Sequence, residues 1–104
     1  MKKHRVVISK QAYSMLGSHI RFLAQVNLSA AKTLRVRIVS EIRSLETMSE
    51  QFPFLNEEFL PYNKYHKLFV ENWFLILYQI QDDTVFVDYV LDYHQDFPWL
   101  LNTL

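Results

Sequence analysis

A nearly unbroken apolar run, WFLILYQI at Trp73–Ile80, constrains the fold more than any other feature of the sequence. An apolar run of this length without alternation is typical of a central strand that is buried on both faces. Two-residue turns at Glu71–Asn72 and Asp82–Asp83 separate this run from strand-like segments at Tyr65–Val70 and Thr84–Leu91. The chain from 65 to 91 therefore predicts a three-stranded antiparallel meander.

The segment before the meander predicts one strand and a first amphipathic helix. HRVVIS at 4–9 is rich in β-branched residues and predicts an N-terminal strand. A helix over Lys10–Val26 follows, because its apolar residues recur every three or four positions: Ala12, Leu16, Ile20 and Leu23. Ser9 is the expected N-cap. Asn27 is expected to end the helix, because Asn tolerates the left-handed conformation.

A second amphipathic helix is predicted over Ala30–Met48, with Ser29 as its N-cap. Its apolar stripe comprises Ala31, Leu34, Ile38, Ile42 and Leu45. A connection of two or three residues makes the two helices an antiparallel hairpin.

Residues 49–64 predict a loop, because Pro53 and Pro61 end any helix near them. The aromatic residues of this loop make it unlike a freely solvated linker. The order strand-helix-helix-strand-strand-strand predicts a two-layer α+β fold, with the helical hairpin on a small, mostly antiparallel sheet. A chain of 104 residues fits a single domain over 1–104. The apolar tail around Trp99 is expected to form a short helix or to pack on the sheet.

Composition excludes several function classes. The chain has no Cys, and its four His residues lack HxH or HExxH spacing, so no metal site and no cofactor are expected. No apolar run is long enough for a signal peptide or a membrane span, which favours a cytoplasmic protein.

Net charge is zero but unevenly distributed along the chain. Residues 1–50 carry nine basic and three acidic residues, a net +6, whereas residues 51–104 carry two lysines and eight acids, a net −6. The two halves could simply attract each other in the fold. Alternatively, the basic half could form a surface for a polyanion or an acidic partner.

The segment at 65–96 resembles the C-terminal hairpins of the RelE/ParE superfamily. The matching residues are Tyr65, Leu68, Asn72, Trp73, Tyr78, Ile80, Asp82, Asp83 and Asp96, with Leu45, Phe52 and Pro53 upstream. The order of elements also agrees over nearly the whole chain. The resemblance implies the toxin of a bacterial type II toxin–antitoxin system, related to plasmid stabilisation and inhibiting growth through gyrase or translation. It also implies a cognate antitoxin protein as partner.

Departures from the family pattern bear on the mechanism. Ribosome-dependent ribonucleases of the superfamily carry Arg or Lys on the central strand and after the last strand. Here the corresponding positions are Phe74 and the Arg-free segment Leu91–Asp96. These departures favour the branch that poisons DNA gyrase. Two alternatives stay open within the same fold: a metal-independent messenger-RNA endoribonuclease acting on the ribosome, and an inactive interaction module. An unrelated small α+β binding domain is a third.

If the chain cleaves RNA, it needs a general base, a general acid and a cation for the phosphate. His94 has the best claim to a catalytic role, Tyr93 beside it could donate a proton or stack on a base, and Lys67 is the candidate phosphate contact. The competing interpretations are a surface histidine paired with Asp92 or Asp96 and a solvated lysine. A partner surface is expected among large apolar residues that a small core cannot all accommodate, together with one arginine: Phe52, Phe54, Phe59, Trp99, Leu100 and Arg35.

Overall fold

The predicted order of elements and the two-layer α+β class are confirmed. The computed structural model describes residues 3–58, 60–71 and 73–92. Its elements are β1 (Arg5–Ile8), α1 (Lys10–Val26), α2 (Leu28–Met48), a single 3₁₀ turn (Ser49–Gln51), β2 (His66–Val70), β3 (Phe74–Gln81) and β4 (Thr84–Asp92).

The four strands form one sheet in the order β1-β4-β3-β2. The strands β2, β3 and β4 are the predicted antiparallel meander. The N-terminal strand β1 lies parallel to β4, with Arg5 opposite Thr84 and Ile8 opposite Val87. A parallel neighbour requires a crossover connection, and the helical hairpin supplies it. The hairpin therefore packs across one face of the sheet.

Asn27 connects the two helices by itself. Its backbone N–H donates to the carbonyl of Leu23 at 2.9 Å, and its side-chain oxygen accepts from the N–H of Ala30 at 3.0 Å. α2 consequently starts at Leu28, so the predicted start at Ala30, the N-cap at Ser29 and the longer connection are wrong. The predicted left-handed conformation of Asn27 is also wrong, because its φ of −154° is extended. The N-cap at Ser9 is confirmed, since its Oγ accepts from the N–H of Ala12 at 3.0 Å.

The face of the sheet beneath the two helices, called here the helix-covered face, carries the main core. Both predicted helical stripes contribute to it, and Ala12, Ile38 and Leu45 are completely buried. The strand side chains that meet them are Leu68, Val70, Phe74, Ile76, Tyr78, Val85, Val87 and Val90. The buried hydroxyl of Tyr78 donates to the carbonyl of Ser49 at 2.6 Å, which ties the central strand to the end of α2.

The opposite side of the sheet, called here the loop-covered face, is partly covered by the segment 53–65. Leu55, Leu60 and Tyr65 are buried against Leu75, Leu77 and Leu91. Backbone hydrogen bonds hold the segment in place: Leu55 N–H donates to Tyr65 O at 2.8 Å, and Lys67 N–H donates to Pro53 O at 2.9 Å. The predicted loop therefore adds partial cover on a second side of the sheet. This cover explains why β3 is buried on both faces from Phe74 to Tyr78.

The two predicted hairpin turns are confirmed in part by their backbone geometry. Asp82 adopts a φ of 57°, and Gln81 pairs with Thr84 across the turn. Acidic and amide residues occupy positive φ more readily than β-branched residues, so the sequence suits a tight two-residue turn. In the other turn Glu71 adopts a φ of 55°, and Trp73 N–H donates to Val70 O at 3.1 Å.

Candidate functional site

The three candidate catalytic residues are only partly within the described structure. Lys67 lies in β2 opposite Leu77, and its side chain is half-buried on the loop-covered face. His66, its neighbour, points to the helix-covered face and is buried, as the strand alternation predicted. Tyr93 and His94 lie outside the described residues. The proximity of Lys67 to those two side chains therefore stays a prediction.

A cluster of polar side chains lies on the same face of the sheet as Lys67, the loop-covered face. Asp88 accepts from the side-chain amide of Gln79 at 2.7 Å and forms a side-chain hydrogen bond with Tyr65. The rings of Tyr65 and Tyr89 meet edge to face, with centroids 5.9 Å apart. Burial, reinforced by the nearby carboxylate of Asp88, raises the pKa of Tyr65 above its ordinary value. Tyr65 is therefore held protonated, as a hydrogen-bond donor.

Sequence reasoning missed this polar cluster. Its signal was Asp88 inside the otherwise apolar strand segment TVFVDYVL. An irregularity in the pairing of β3 with β4 lies between Leu77 and Tyr78, so that Tyr89 pairs with Leu77 and Val87 with Tyr78. The extra residue, Asp88, therefore joins Tyr89 on the loop-covered face, as expected of a β-bulge.

The charges on the loop-covered face do not favour a polyanion. The C-terminal half of the chain contains only two cations, Lys64 and Lys67. The ammonium of Lys64 lies 5.3 Å from the centre of the Tyr65 ring, next to the Asp88 cluster. Phe74, at the position where ribonucleases of the resembled superfamily carry a cation, is buried beneath the helices. A phosphate near Lys67 would therefore approach a face that also carries the carboxylate of Asp88.

The three described histidines have structural hydrogen bonds. His66 Nδ1 donates to the carbonyl of Phe52 at 2.7 Å, and the His66 ring stacks on Tyr78 with centroids 5.1 Å apart. His19 Nε2 donates to the carbonyl of Val90 at 2.9 Å. His4 Nδ1 lies 3.4 Å from the hydroxyl of Ser49. Within residues 3–58, 60–71 and 73–92, no three His, Asp or Glu side chains are grouped so that they could hold a metal ion.

The exposed surface of α2 forms a groove between arginines. The groove has a volume of about 490 Å³ and is lined by Arg35, Val36, Val39, Ser40 and Arg43. Val36 at its centre is 70% exposed. Among the described residues Arg35 and Arg43 make no ion pair, whereas Arg37 on a neighbouring face pairs with both Glu41 and Glu71.

Positive charge predominates on the two helices. The two helices together carry six basic residues and two acidic ones, a net +4. A second groove of about 320 Å³ shares Val39 and Arg43 with the first and runs towards Tyr13 and the edge strand β1. The two grooves adjoin at Val39 and Arg43; the lining of the first includes two arginines, whereas the lining of the second also includes Glu46, which pairs with Lys3 at 3.3 Å. The first groove fits an amphipathic segment that carries carboxylates.

An aromatic cleft lies at the opposite end of the helical hairpin, where α1 ends and α2 begins. It has a volume of about 270 Å³, and its lining includes His19, Phe22, Leu34, Trp73, Phe74 and Asp92. The indole N–H of Trp73 donates to Asp92 at 3.2 Å. Phe22 and Trp73 leave 65% and 52% of their surfaces exposed. An exposed pair of large aromatic residues at the mouth of a cleft is a feature of docking sites.

The candidate partner-binding residues occupy different environments. Arg35 is exposed at the border of the α2 groove. Phe54 is 38% exposed, with its ring centre 4.1 Å from that of His66. Phe52 is half-buried and packs against the main core. Phe59, Trp99 and Leu100 lie outside the described residues.

Comparison with known proteins gives a structural likeness without a sequence match. No protein-family model matches the chain, and no curated protein is significantly similar in sequence. A similar solved structure is a chain of the chromosomal ParDE TA system from P. aeruginosa, with a TM-score of 0.74 and 14% sequence identity. The match covers 88% of this chain and 98% of that chain. At this identity the likeness establishes the fold.

The helices of the described residues carry no apolar stretch that is long enough to cross a bilayer.

Proposed function

We propose that this chain is the toxin of a bacterial toxin–antitoxin pair. The observation that carries the proposal is the fold: strand, helical hairpin and antiparallel meander superpose on almost the full length of a ParDE system chain. Two further features support it. The C-terminal hairpins resemble those of RelE/ParE toxins in sequence, and a strongly basic helical surface faces outwards. The partner is an antitoxin encoded beside the chain.

The antitoxin binds, in this proposal, through an acidic amphipathic segment on the α2 groove. Val36 and Val39 offer apolar contact, and Arg35 and Arg43 offer bidentate partners for carboxylates. A segment that folds on binding can bury such a strip at moderate affinity per unit area. Phe54 extends the apolar surface available to the same partner on another side of the molecule.

Reversing the charge of the two groove arginines by substitution tests this partner site. Arg35→Glu combined with Arg43→Glu is expected to weaken antitoxin binding about 100-fold, because like charges would oppose the partner. Lys10→Glu combined with Lys32→Ala is the control, since both residues are exposed cations outside the groove lining. Titration calorimetry with the product of the adjacent gene measures the affinity. Equal affinities for the two double variants would refute the α2 site and leave the toxin proposal standing.

Binding to DNA gyrase is the proposed mechanism of toxicity, in preference to RNA cleavage. The face that holds Lys67 also holds Asp88, and the half of the chain that forms the meander has a net charge of −6. Such a field attracts RNA poorly. A poison that acts by binding needs no general acid or base, in keeping with Phe74 at the central-strand position.

Induced expression without the antitoxin distinguishes the mechanisms. A gyrase poison stops growth with early DNA damage while translation continues, and Lys67→Ala and His94→Ala should remain toxic. A ribonuclease stops translation first, and both variants should lose toxicity, with Lys10→Ala as an active control. Ribosome-dependent cleavage of messenger RNA by the purified chain would overturn the gyrase proposal. Growth unaffected by the wild-type chain would support an inactive interaction module.

A further inference from the structure

The two outer strands of the sheet, β1 and β2, differ in how their outer edges are covered. The segment 53–55 lies along β2, where Lys67 N–H donates to Pro53 O at 2.9 Å and Phe54 forms an antiparallel bridge with His66. Among the residues that the structure describes, no strand or isolated bridge lies along the outer edge of β1. An open edge of this kind is a template for pairing with another strand.

Backbone hydrogen bonds fix which residues of β1 face outwards. The N–H groups of Arg5 and Ser9 each donate at 2.9 Å towards the β4 side. Alternate residues of a strand present their backbone groups to opposite sides, so Val7 also faces β4, whereas Val6 and Ile8 face outwards. The N–H and C=O groups of Val6 and Ile8 are therefore the ones that another strand would meet.

These outward groups are complementary to those of a second copy of β1 in antiparallel orientation. When Val7 lies opposite Val7 of the second copy, Val6 lies opposite Ile8 of that copy, and Ile8 lies opposite its Val6. Each of these outward pairs exchanges both N–H···O bonds, as residues in a hydrogen-bonded antiparallel pair do. Every outward N–H and C=O of Val6 and Ile8 thereby gains a partner.

The side chains of Val6 and Ile8 lie beside an apolar groove on the helix-covered face. Both are only partly buried against the main core, and with Tyr13 and Ile42 they belong to the lining of the groove of about 320 Å³. Opposite residues of an antiparallel pair point to the same face of the sheet. The second copy would therefore add its own valine and isoleucine to this apolar surface and remove it from water.

Val7 provides the corresponding contact on the loop-covered face. Its side chain is 38% exposed, although it is a β-branched apolar residue in the middle of a strand. In the antiparallel register it lies at the symmetry axis, in a non-hydrogen-bonded pair whose Cα atoms are about 4.5 Å apart. Two valines at that distance would cover each other.

Charge favours a second copy over an acidic segment at this edge. The groove beside β1 is lined by one basic and one acidic residue, Arg43 and Glu46, unlike the α2 groove with its two arginines. The chain as a whole has a net charge of zero, so two copies have no overall repulsion. Arg5 would lie opposite Ser9, and the two copies of Arg5 would be roughly 13 Å apart along the strands, beyond a Debye length of about 8 Å.

We propose that two copies of this chain associate by antiparallel pairing of their β1 strands about a two-fold axis at Val7. The two four-stranded sheets then form one continuous sheet of eight strands, with both helical hairpins on the same side. This inference does not depend on the proposed toxin function.

Opposite charges at position 7 test the pairing and its register together. Val7→Lys and Val7→Glu each place like charges about 5 Å apart at the axis, and each variant alone is expected to weaken self-association about 100-fold. A mixture of the two variants is expected to recover association to within about ten-fold of the wild type, because lysine then lies opposite glutamate. Sedimentation equilibrium of the full chain, up to millimolar concentration, measures the dissociation constants.

Val26→Lys is the matched control for the charge at position 7. Val26 is 80% exposed and lies at the far end of α1, roughly 24 Å along the helix from its start beside β1. This variant is expected to associate as the wild type does, and melting curves verify that each variant folds. A wild-type chain that stays monomeric would overturn the proposal and leave the β1 edge to a strand of another protein. Folded Lys and Glu variants that fail to associate when mixed would also overturn it.

Disulfide trapping provides a second measurement with a milder substitution, because the chain contains no cysteine of its own. Val7→Cys places two thiols at the axis, where the Cβ separation is close to the roughly 4 Å that a disulfide requires. Disulfide-linked dimers are expected to form about ten-fold faster for Val7→Cys than for Val26→Cys. Equal rates at the two positions would contradict pairing through β1.

Discussion

The two faces of the sheet are covered in different ways. Two long helices pack over the helix-covered face. Buried polar groups there form hydrogen bonds with backbone carbonyls, as Tyr78 does with Ser49 and His66 with Phe52. An irregular segment covers only part of the loop-covered face, where Tyr65, Gln79 and Asp88 form a network of side chains. Phe69 on that face remains 43% exposed. The first face has the character of a protein core, whereas the second is only partly covered and carries a network of polar side chains.

This difference predicts how each face responds to substitution. Close packing makes a core intolerant of changes in volume or charge. A face that an irregular segment covers only in part is expected to tolerate such changes better. Substitutions matched between the two faces should therefore differ in their effects on the free energy of unfolding.

The largest effect is expected for Ile38→Asp in the core beneath α2. Ile38 is completely buried, so the new carboxylate would lie unpaired in an apolar environment and should destabilise the fold by roughly 4 kcal/mol or more. Val36→Asp, two residues away on the same helix and 70% exposed, should change stability by less than about 0.5 kcal/mol. Thermal melts followed by circular dichroism measure both. A folded Ile38→Asp protein with a wild-type melt would show that the helix phase is wrong.

A smaller contrast is expected between Leu45→Ala and Leu55→Ala. Leu45 packs between α2 and the sheet, whereas Leu55 belongs to the loop cover. Both leave a cavity, but the irregular segment can relax into it, so we expect losses of about 4 kcal/mol for Leu45→Ala and about 2 kcal/mol for Leu55→Ala. Denaturant unfolding gives the two values. Equal losses would mean that the loop cover is as rigid as the helical layer.

The hydroxyl groups of Tyr78 and Tyr65 give a finer comparison of the two faces. Tyr78→Phe leaves the buried carbonyl of Ser49 without its 2.6 Å donor and should destabilise the protein by about 1.5 kcal/mol. Tyr65→Phe removes a hydrogen bond to Asp88, which keeps Gln79 as a donor, and should cost about 0.5 kcal/mol. Denaturant midpoints at neutral pH are the measurement. The reverse order would place the more important polar contact on the loop-covered face.

Alkaline pH should test the burial of the same two phenols, with the smallest effect. Burial raises the pKa of both Tyr78 and Tyr65 above the ordinary value of about 10. Above pH 10 the unfolded chain therefore loses protons that the folded chain retains, and the free energy of unfolding falls. Melting temperatures measured from pH 8 to pH 11 should fall less steeply for Tyr78→Phe than for the wild type. Parallel curves would contradict a buried neutral phenol at position 78.

Most element boundaries could be predicted because they depend on local chemistry. The cap at Ser9 and the turn at Asp82 involve neighbouring backbone groups, and the helical stripes follow the helical period. The junction at Asn27 was mispredicted because one side chain both ends α1 and starts α2. Residue propensities alone predict that one residue ends the first helix and a different residue caps the second.

Less of the candidate site could be predicted from the sequence. Lys67 could be assigned to its face by strand alternation, but the contact between Tyr65 and Asp88 on that face joins residues far apart in the sequence. Arg35, which lines the α2 groove, was already a candidate partner-binding residue from the sequence, because the basic residues of this helix can be read there. The aromatic cleft was not predicted, because Phe22, Leu34 and Trp73 belong to α1, α2 and the β2–β3 turn, and only folding places them together.

The sequence by itself determined the two helices, the meander and the α+β class, because periodicity and turn chemistry act over a few residues. Tertiary structure alone decided that β1 lies parallel to β4, and that an irregular segment covers the second face of the sheet. It also decided that a bulge turns Asp88 towards Gln79. These features depend on contacts between residues far apart in the chain, whose pairing depends on packing and on satisfying buried polar groups.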